Sequence, residues 1–304
     1  MSTLLPSYSE ISEHKSFGVG YSFGTFGELL QGVLEDGSDF LVTFPISRYS
    51  KATFTTTEDK EDIEVFPPYK TKSLLLTKRL FAYFNISAGG VLRIESELPE
   101  GKGLASSSAD LVATARAIEQ CMNIKISNPL LEQFMAEIEP SDGVMYSGIV
   151  SFYHRKVQLH RFLGGIPTVT ILGIDEGGEI DTVKYNQLPK VYPLEVKKEY
   201  TRLYYQVEDA IEKNDLNMIG RVATQSAILN QCINPKRNLE YIIELSRVHN
   251  CLGVVVAHSG TCMGLLLSQK DPFYQEKYDQ VYNALSKCSK EIIVSHSLSF
   301  ESDV

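Results

Sequence analysis

Hydrophobic and polar positions recur along this chain with two periods, and the periods divide it into short strands and amphipathic helices. Residues 40–46 (FLVTFPI) form a nearly continuous apolar run, and 51–57 (KATFTTT) alternate roughly between polar and apolar; both read as strands. Residues 71–84 place Leu74, Leu75, Leu80, Phe81 and Phe84 at helical spacing, which predicts a helix. A strand over 91–97 leads through a glycine-rich loop into a helix over 106–122, with Leu111, Ala115, Ile118 and Met122 on one face. A short helix over 129–138 and a strand over 149–153 close the first half. The second half reads as a strand over 168–174, a Gly177-Gly178 turn and a linker over 186–193 that holds Pro189 and Pro193. Helices over 197–213, 215–231 and 237–250 follow, then strands over 253–257 and 263–267, a helix over 272–285 and a strand over 292–295. This order predicts an α+β protein rather than a regular βαβ array. It divides into an N-terminal domain, 1–165, and a C-terminal domain, 166–304.

Composition changes this picture little but excludes several functions. The 304 residues are 43% hydrophobic and 22% charged, enough to bury a substantial core. The net charge of −9 disfavours capture of nucleic acid or of an anionic membrane, which needs a basic face. Cys121, Cys232, Cys251, Cys262 and Cys288 are scattered and never form C-x-x-C, so reduced thiols are expected, without a disulfide framework or a zinc site. The first 17 residues lack the apolar core of a signal peptide, and no apolar run reaches the length of a membrane span. A cytoplasmic protein is expected. The histidines show no metal-ligand spacing, and His258 reads as hydrogen-bonded structure.

The stretch with most chemical content is PEGKGLASSSAD, residues 99–110, between a predicted strand and a predicted helix. Glycines allow a tight turn and close approach to a ligand. The serines at the helix start offer hydroxyls beside the unpaired first-turn amides, at the positive end of the helix dipole. Such a site suits phosphate, and a serine hydroxyl can also join the oxygen shell of Mg²⁺. The alternative is a serine-rich cap after an ordinary loop. Neither G-x-x-x-x-G-K-[S/T] nor a G-x-G-x-x-G after a strand is present.

The spacing P-x-x-x-G-L-x-S-S-S-A in this loop resembles the phosphate-binding signature of the galactokinase/homoserine kinase/mevalonate kinase/phosphomevalonate kinase (GHMP) superfamily. GTFGELLQG, residues 24–32, and AHSGTCMG, residues 257–264, resemble the first and last motifs of that family. Within it, the first motif, EPSDGVMY at 139–146 and DEGGEIDT at 175–182 are similar to the L-threonine kinase branch. The resemblance implies a two-domain fold, ribosomal S5 domain 2-like and then ferredoxin-like. It also implies an ATP- and Mg²⁺-dependent kinase acting on a small hydroxyl-bearing acceptor, with L-threonine foremost.

By the same resemblance Asp142 is the catalytic carboxylate. Pro99, Gly101, Lys102, Gly103, Leu104, Ala105, Ser106, Ser107 and Ser108 bind ATP. Glu28, Gln31, Asp142, Ser259, Gly260 and Thr261 surround the acceptor. Ser107 holds the metal together with one of Glu132, Glu137 and Glu139, of which Glu137 is preferred. A monomer or homodimer is expected, with no nucleic-acid or membrane partner. Competing readings are another acceptor (homoserine, an amino alcohol or a sugar) and a non-catalytic ligand-binding protein of the same fold. A nucleic-acid-binding module is a further one, disfavoured by the acidic balance.

Overall fold

A computed structural model describes residues 16–57, 62–178 and 192–300. Two long strands organise the first half. β1 (Phe17–Val33) and β2 (Asp39–Thr57) pair antiparallel from Phe17 opposite Thr55 to Val33 opposite Asp39. β4 (Gly89–Ser96) lies beside β2, and β3 (Ile63–Phe66) runs parallel to β4 at the edge. The other end of β2 pairs with β5 (Ile149–Tyr153), which in turn pairs with β6 (Gln158–Gly164).

The second half contributes β7 (Val169–Asp175), β8 (Gly253–Val256), β9 (Cys262–Ser268) and β10 (Ile293–His296), antiparallel in the order β8-β9-β7-β10. The halves join in one sheet where β8 meets β1, at the single pair Glu28 and Val256.

Helices cover this sheet because each has a face of apolar side chains to bury. In the first half these are α1 (Thr71–Tyr83), α2 (Ser106–Met122) and α3 (Asn128–Ala136). The second half has α4 (Leu194–Glu212), α5 (Leu216–Asn230), α6 (Leu239–Val248) and α7 (Tyr274–Leu285). α2 is buried on nearly every side and packs on β1 and β2. Its small residues Ala109, Ala113, Ala115 and Ala117 are good helix formers and allow that close approach. Leu111, Ile118 and Met122 of α2 share a core with Leu76 and Leu80 of α1 and Phe54 of β2. A second core, with Phe26, Leu29, Phe40, Tyr200 and Val255, spans the junction of the halves. A third, with Leu172, Ile242, Leu265 and Val281, lies under α6 and α7.

The helix expected over 106–122 and the strand over 149–153 coincide with α2 and β5. The two strands expected at 40–46 and 51–57 are a single strand, β2. The polar residues Ser47, Arg48 and Ser50 interrupt the apolar pattern between them, yet Tyr49 and Ser50 stay paired with Phe23 and Ser22 of β1. β1, β3 and β6 go beyond the expected elements. Five glycines in β1 (18, 20, 24, 27 and 32) lower its apparent strand propensity. Most of the expected linker, 186–191, lies outside the described residues. The division at residue 165 falls between β6 and β7, where the chain leaves the first half of the sheet, and we propose it as the domain boundary.

Candidate functional site

Where the halves of the sheet meet, β1 is bulged. Its register shifts between Phe23 and Gly24, between Thr25 and Glu28, and again before Leu30. Gly27 has φ +56°, and a Cβ there would fall 2.3 Å from the Val256 carbonyl oxygen, so only glycine fits. A bulge re-aims side chains, and here Glu28 lines a cleft of about 320 Å³. Its Oε2 accepts the backbone N–H of His258 at 3.1 Å and is 2.9 Å from His258 Nδ1.

The loop after β4 forms the adjoining wall. Gly101 and Gly103 have φ +70° and +82°, and Ala105, before α2, is also left-handed at +57°. No side chain caps the first turn of α2, which opens toward the cleft. The loop is strapped to its neighbours: Thr25 and Gly27 of β1 donate to the carbonyls of Leu104 and Gly103, and the Thr261 amide donates to that of Lys102. Gly260 is pressed so closely on the loop that a Cβ would lie 2.0 Å from the Lys102 carbonyl oxygen. The three sequence motifs thus meet around one loop.

The serine run divides its tasks. Ser106 is buried and donates to the Leu98 carbonyl at 2.9 Å, which ties the helix to the strand exit. Ser108, also buried, accepts the Asp142 amide at 3.0 Å. Ser107 alone is half-buried, and its hydroxyl donates to Glu139.

The loop after α3 brings Glu139 and Asp142 to the cleft floor. Burial, reinforced by the charges of Glu28 and Glu139, pushes the Asp142 carboxyl up to about 8. Glu139 is paired with Lys72 from the start of α1 at 2.5 Å. Lys70 lies between Glu100 and Asp110, 2.6 Å from the latter. Both lysines of the cleft are thus paired with its carboxylates.

Pro99, Gly101, Gly103, Leu104, Ala105 and Ser106–Ser108 line the cleft together with Glu28, Asp142 and Ser259. Several expected residues do not line it. Lys102 turns to Asp175, 2.7 Å away, and to the Gly178 carbonyl, also at 2.7 Å. Partial burial works against ionisation of Asp175, yet hydrogen bonds from Lys102 and Thr261 hold its carboxyl below the ordinary value. Thr261 therefore supports this clasp, and Gly260 packs against the loop at Lys102 and Gly103. Gln31 is buried behind Glu28, its Nε2 3.4 Å from His154 Nε2.

The preference for Glu137 as metal ligand is corrected on geometry. Glu137 sits on an exposed surface paired with Arg79, Glu132 accepts the Tyr146 hydroxyl and the Leu159 amide, and only Glu139 meets Ser107. Within the eight residues 132–139, these carboxylates are indistinguishable by position in the sequence.

Lys70, Lys72, Asp110 and His154 also line the cleft and were missed. A signal for the lysines existed. Lys70 precedes α1 and Lys72 lies in its first turn, where no acidic residue offsets them, and the helix dipole disfavours cations there. Such an arrangement points to partners elsewhere in the fold.

Residues 71–151 match the family model described as the GHMP kinases N terminal domain. The chain is 27% identical over 248 residues to an L-threonine kinase of Citrobacter freundii, across 80% of this chain and 84% of that protein. It is 28% identical over 253 residues to an L-threonine kinase of Salmonella typhimurium, across 80% and 81%. The structure of homoserine kinase from Cytophaga hutchinsonii superposes with a TM-score of 0.73 at 16% identity, covering 98% of each chain.

Proposed function

We propose that this chain, which carries the GHMP kinase N-terminal domain and has the GHMP kinase fold, transfers the γ-phosphoryl group of ATP to the hydroxyl of a small hydroxy-amino acid, L-threonine first. The observation that carries this reading is the convergence of the uncapped first turn of α2, the Ser107–Glu139 pair, Asp142 and Glu28 on one cleft. The two L-threonine kinases similar to it across four-fifths of its length support the acceptor.

Phosphoryl transfer asks little covalent chemistry of a protein; it asks for position and for compensation of charge. The loop amides and the start of α2 receive the phosphates, beside Lys70 and Lys72, which are paired with Glu100, Asp110 and Glu139. Ser107 and Glu139 are an oxygen-only pair that suits Mg²⁺, which prefers oxygen and commonly shares its shell with nucleotide phosphates. When bound, Mg²⁺ supplies charge neutralisation of the phosphate oxygens. Among the described residues no group of three or more His, Cys, Asp or Glu gathers as a metal cage, so phosphates and water would complete that shell.

Asp142 faces the acceptor side. Raised to about 8, the Asp142 carboxyl is largely protonated in the ligand-free chain at neutral pH; once ionised it is a stronger base than an ordinary aspartate, as acceptance of the hydroxyl proton requires. Glu28 receives the acceptor's ammonium group. The reading also carries a cytoplasmic location.

An ATP-consumption screen with Mg²⁺ across L-threonine, L-serine, homoserine, ethanolamine-type amino alcohols, hexoses and mevalonate tests the proposal. Turnover is expected with a hydroxy-amino acid. A preference for a sugar or mevalonate would overturn the acceptor and leave the kinase, and no turnover with any would overturn both.

A further inference from the structure

We propose that His258 is a positioning residue for the acceptor: it captures one oxygen of the Glu28 carboxylate so that the other stays turned to the substrate's ammonium group. The inference rests on the reading of Glu28 as the ammonium's partner.

Four buried groups from three parts of the fold form a chain of hydrogen bonds behind the cleft. Gln31 and Glu28 belong to β1, Ser226 to α5, and His258 to the turn between β8 and β9. Each is at least nine-tenths buried. The Gln31 backbone N–H can only donate, and it reaches Ser226 Oγ at 3.2 Å. Ser226 Oγ is 2.9 Å from His258 Nε2, and His258 Nδ1 is 2.9 Å from Glu28 Oε2. A lone pair on Nδ1 would face the lone pairs of a carboxylate oxygen at that distance and repel, so Nδ1 carries a proton and donates it. The Ser226 hydroxyl, accepting from Gln31, then has an acceptor for its own proton in Nε2.

Both donors that His258 offers, its backbone amide and its ring Nδ1–H, fall on the same oxygen of Glu28. The hydrogen bonds that hold the Glu28 carboxylate thus fall on Oε2, and Glu28 lines the cleft. One oxygen is therefore clamped and the other is left for a ligand. The turn that carries His258 is itself held in place, since Asn234 donates to the His258 carbonyl at 2.8 Å and the buried Lys236 ammonium donates to the Gly260 carbonyl. A carboxylate fixed in this way needs no reorganisation when a cation arrives, and preorganisation of this kind shows in binding.

Steady-state kinetics of the full chain with Mg²⁺–ATP and L-threonine, on wild type and three His258 variants, tests the proposal. His258→Leu should raise the acceptor KM by about 10- to 100-fold, the scale of a lost charge-assisted hydrogen bond, with the ATP KM at its wild-type value. His258→Asn should restore most of the acceptor affinity, because its side-chain amide reaches the position of Nδ1. His258→Gln, whose amide reaches toward the position of Nε2, should restore little. Should His258→Leu fail to fold, Ser226→Ala gives a smaller shift in the same direction. An unchanged acceptor KM in a folded His258→Leu or Ser226→Ala variant overturns the inference. So does an Asn variant no better than Gln, or a parallel rise of the ATP KM in every variant, which would assign His258 to holding the turn alone. A wild-type chain that phosphorylates no hydroxy-amino acid overturns the acceptor reading and the ammonium's place with it. The clamp itself is then still decided by ¹⁵N-histidine spectra, where one protonated Nδ1 signal should vanish in His258→Asn; its absence from wild type overturns the clamp.

Discussion

Among the carboxylates that share its cleft, Glu28 and Glu139 bear on the charge of Asp142, and that crowding determines how the site answers to pH. Burial together with Glu28 and Glu139 raises its carboxyl to about 8, while Lys72 is occupied by Glu139. The folded chain thus keeps a proton on Asp142 that the unfolded chain releases near the ordinary value of 3.8. The stability this proton supplies is fully present below that value and is lost as pH rises through about 8. Asp142→Asn keeps the shape and cannot ionise, so it should raise the melting temperature of the ligand-free chain more at pH 8 than at pH 5. Equal gains in scanning calorimetry would place the perturbed proton elsewhere. On the proposed role of Asp142 at the acceptor, the same variant should lower kcat by roughly 10²-fold or more while ATP affinity stays at its wild-type value. At limiting Mg²⁺, Ser107→Ala and Glu139→Gln should each reduce turnover by roughly 10²-fold. Glu137→Gln, on the exposed Arg79 pair, should leave it unchanged. A fall with Glu137→Gln and none with Glu139→Gln would restore the ligand preferred on sequence.

The loop before α2 acts as a unit with the two strands and the turn that hold it. Gly103 has φ +82°, and a Cβ there would lie 2.3 Å from Ala257 Cβ. Gly103→Val should therefore push the loop off the 257–260 turn and abolish the thermal shift that Mg²⁺–ATP gives, measured by differential scanning fluorimetry. A folded Gly103→Val chain with the wild-type shift would remove this loop from the nucleotide site. Elements with one dominant period were legible: α2 could be read from Leu111, Ala115, Ile118 and Met122. β1 was not, because its second half is buried on both faces and so lacks the alternation by which a strand is recognised. β6, largely exposed, has no apolar stripe to show.

At the scale of the whole molecule, β1 meets β8 at Glu28 and Val256, a bridge between Ile46 and Ser297 adds a second link between the halves, and Glu28 lines the cleft. Mg²⁺–ATP at 100 times its Kd should stabilise the fold by about 2.7 kcal/mol if it binds the native state alone. Addition of L-threonine should raise the melting temperature further, and D-glucose should not; the reverse order would refute the acceptor. No helix among the described residues is long and apolar enough to cross a membrane. The sequence by itself determined the α+β class, the glycine-serine loop before α2 and the three motifs, because glycine, serine and hydrophobic spacing act on the chain locally. It also brought Glu28, Ser107 and Asp142 forward as the residues to watch. Which glutamate meets Ser107, why Lys102 turns away to Asp175, and how His258 comes to hold Glu28 were decided only by tertiary structure. Those contacts join residues from about 30 to 230 positions apart, and a side chain's direction at such range depends on how strands and helices pack, which no local pattern encodes.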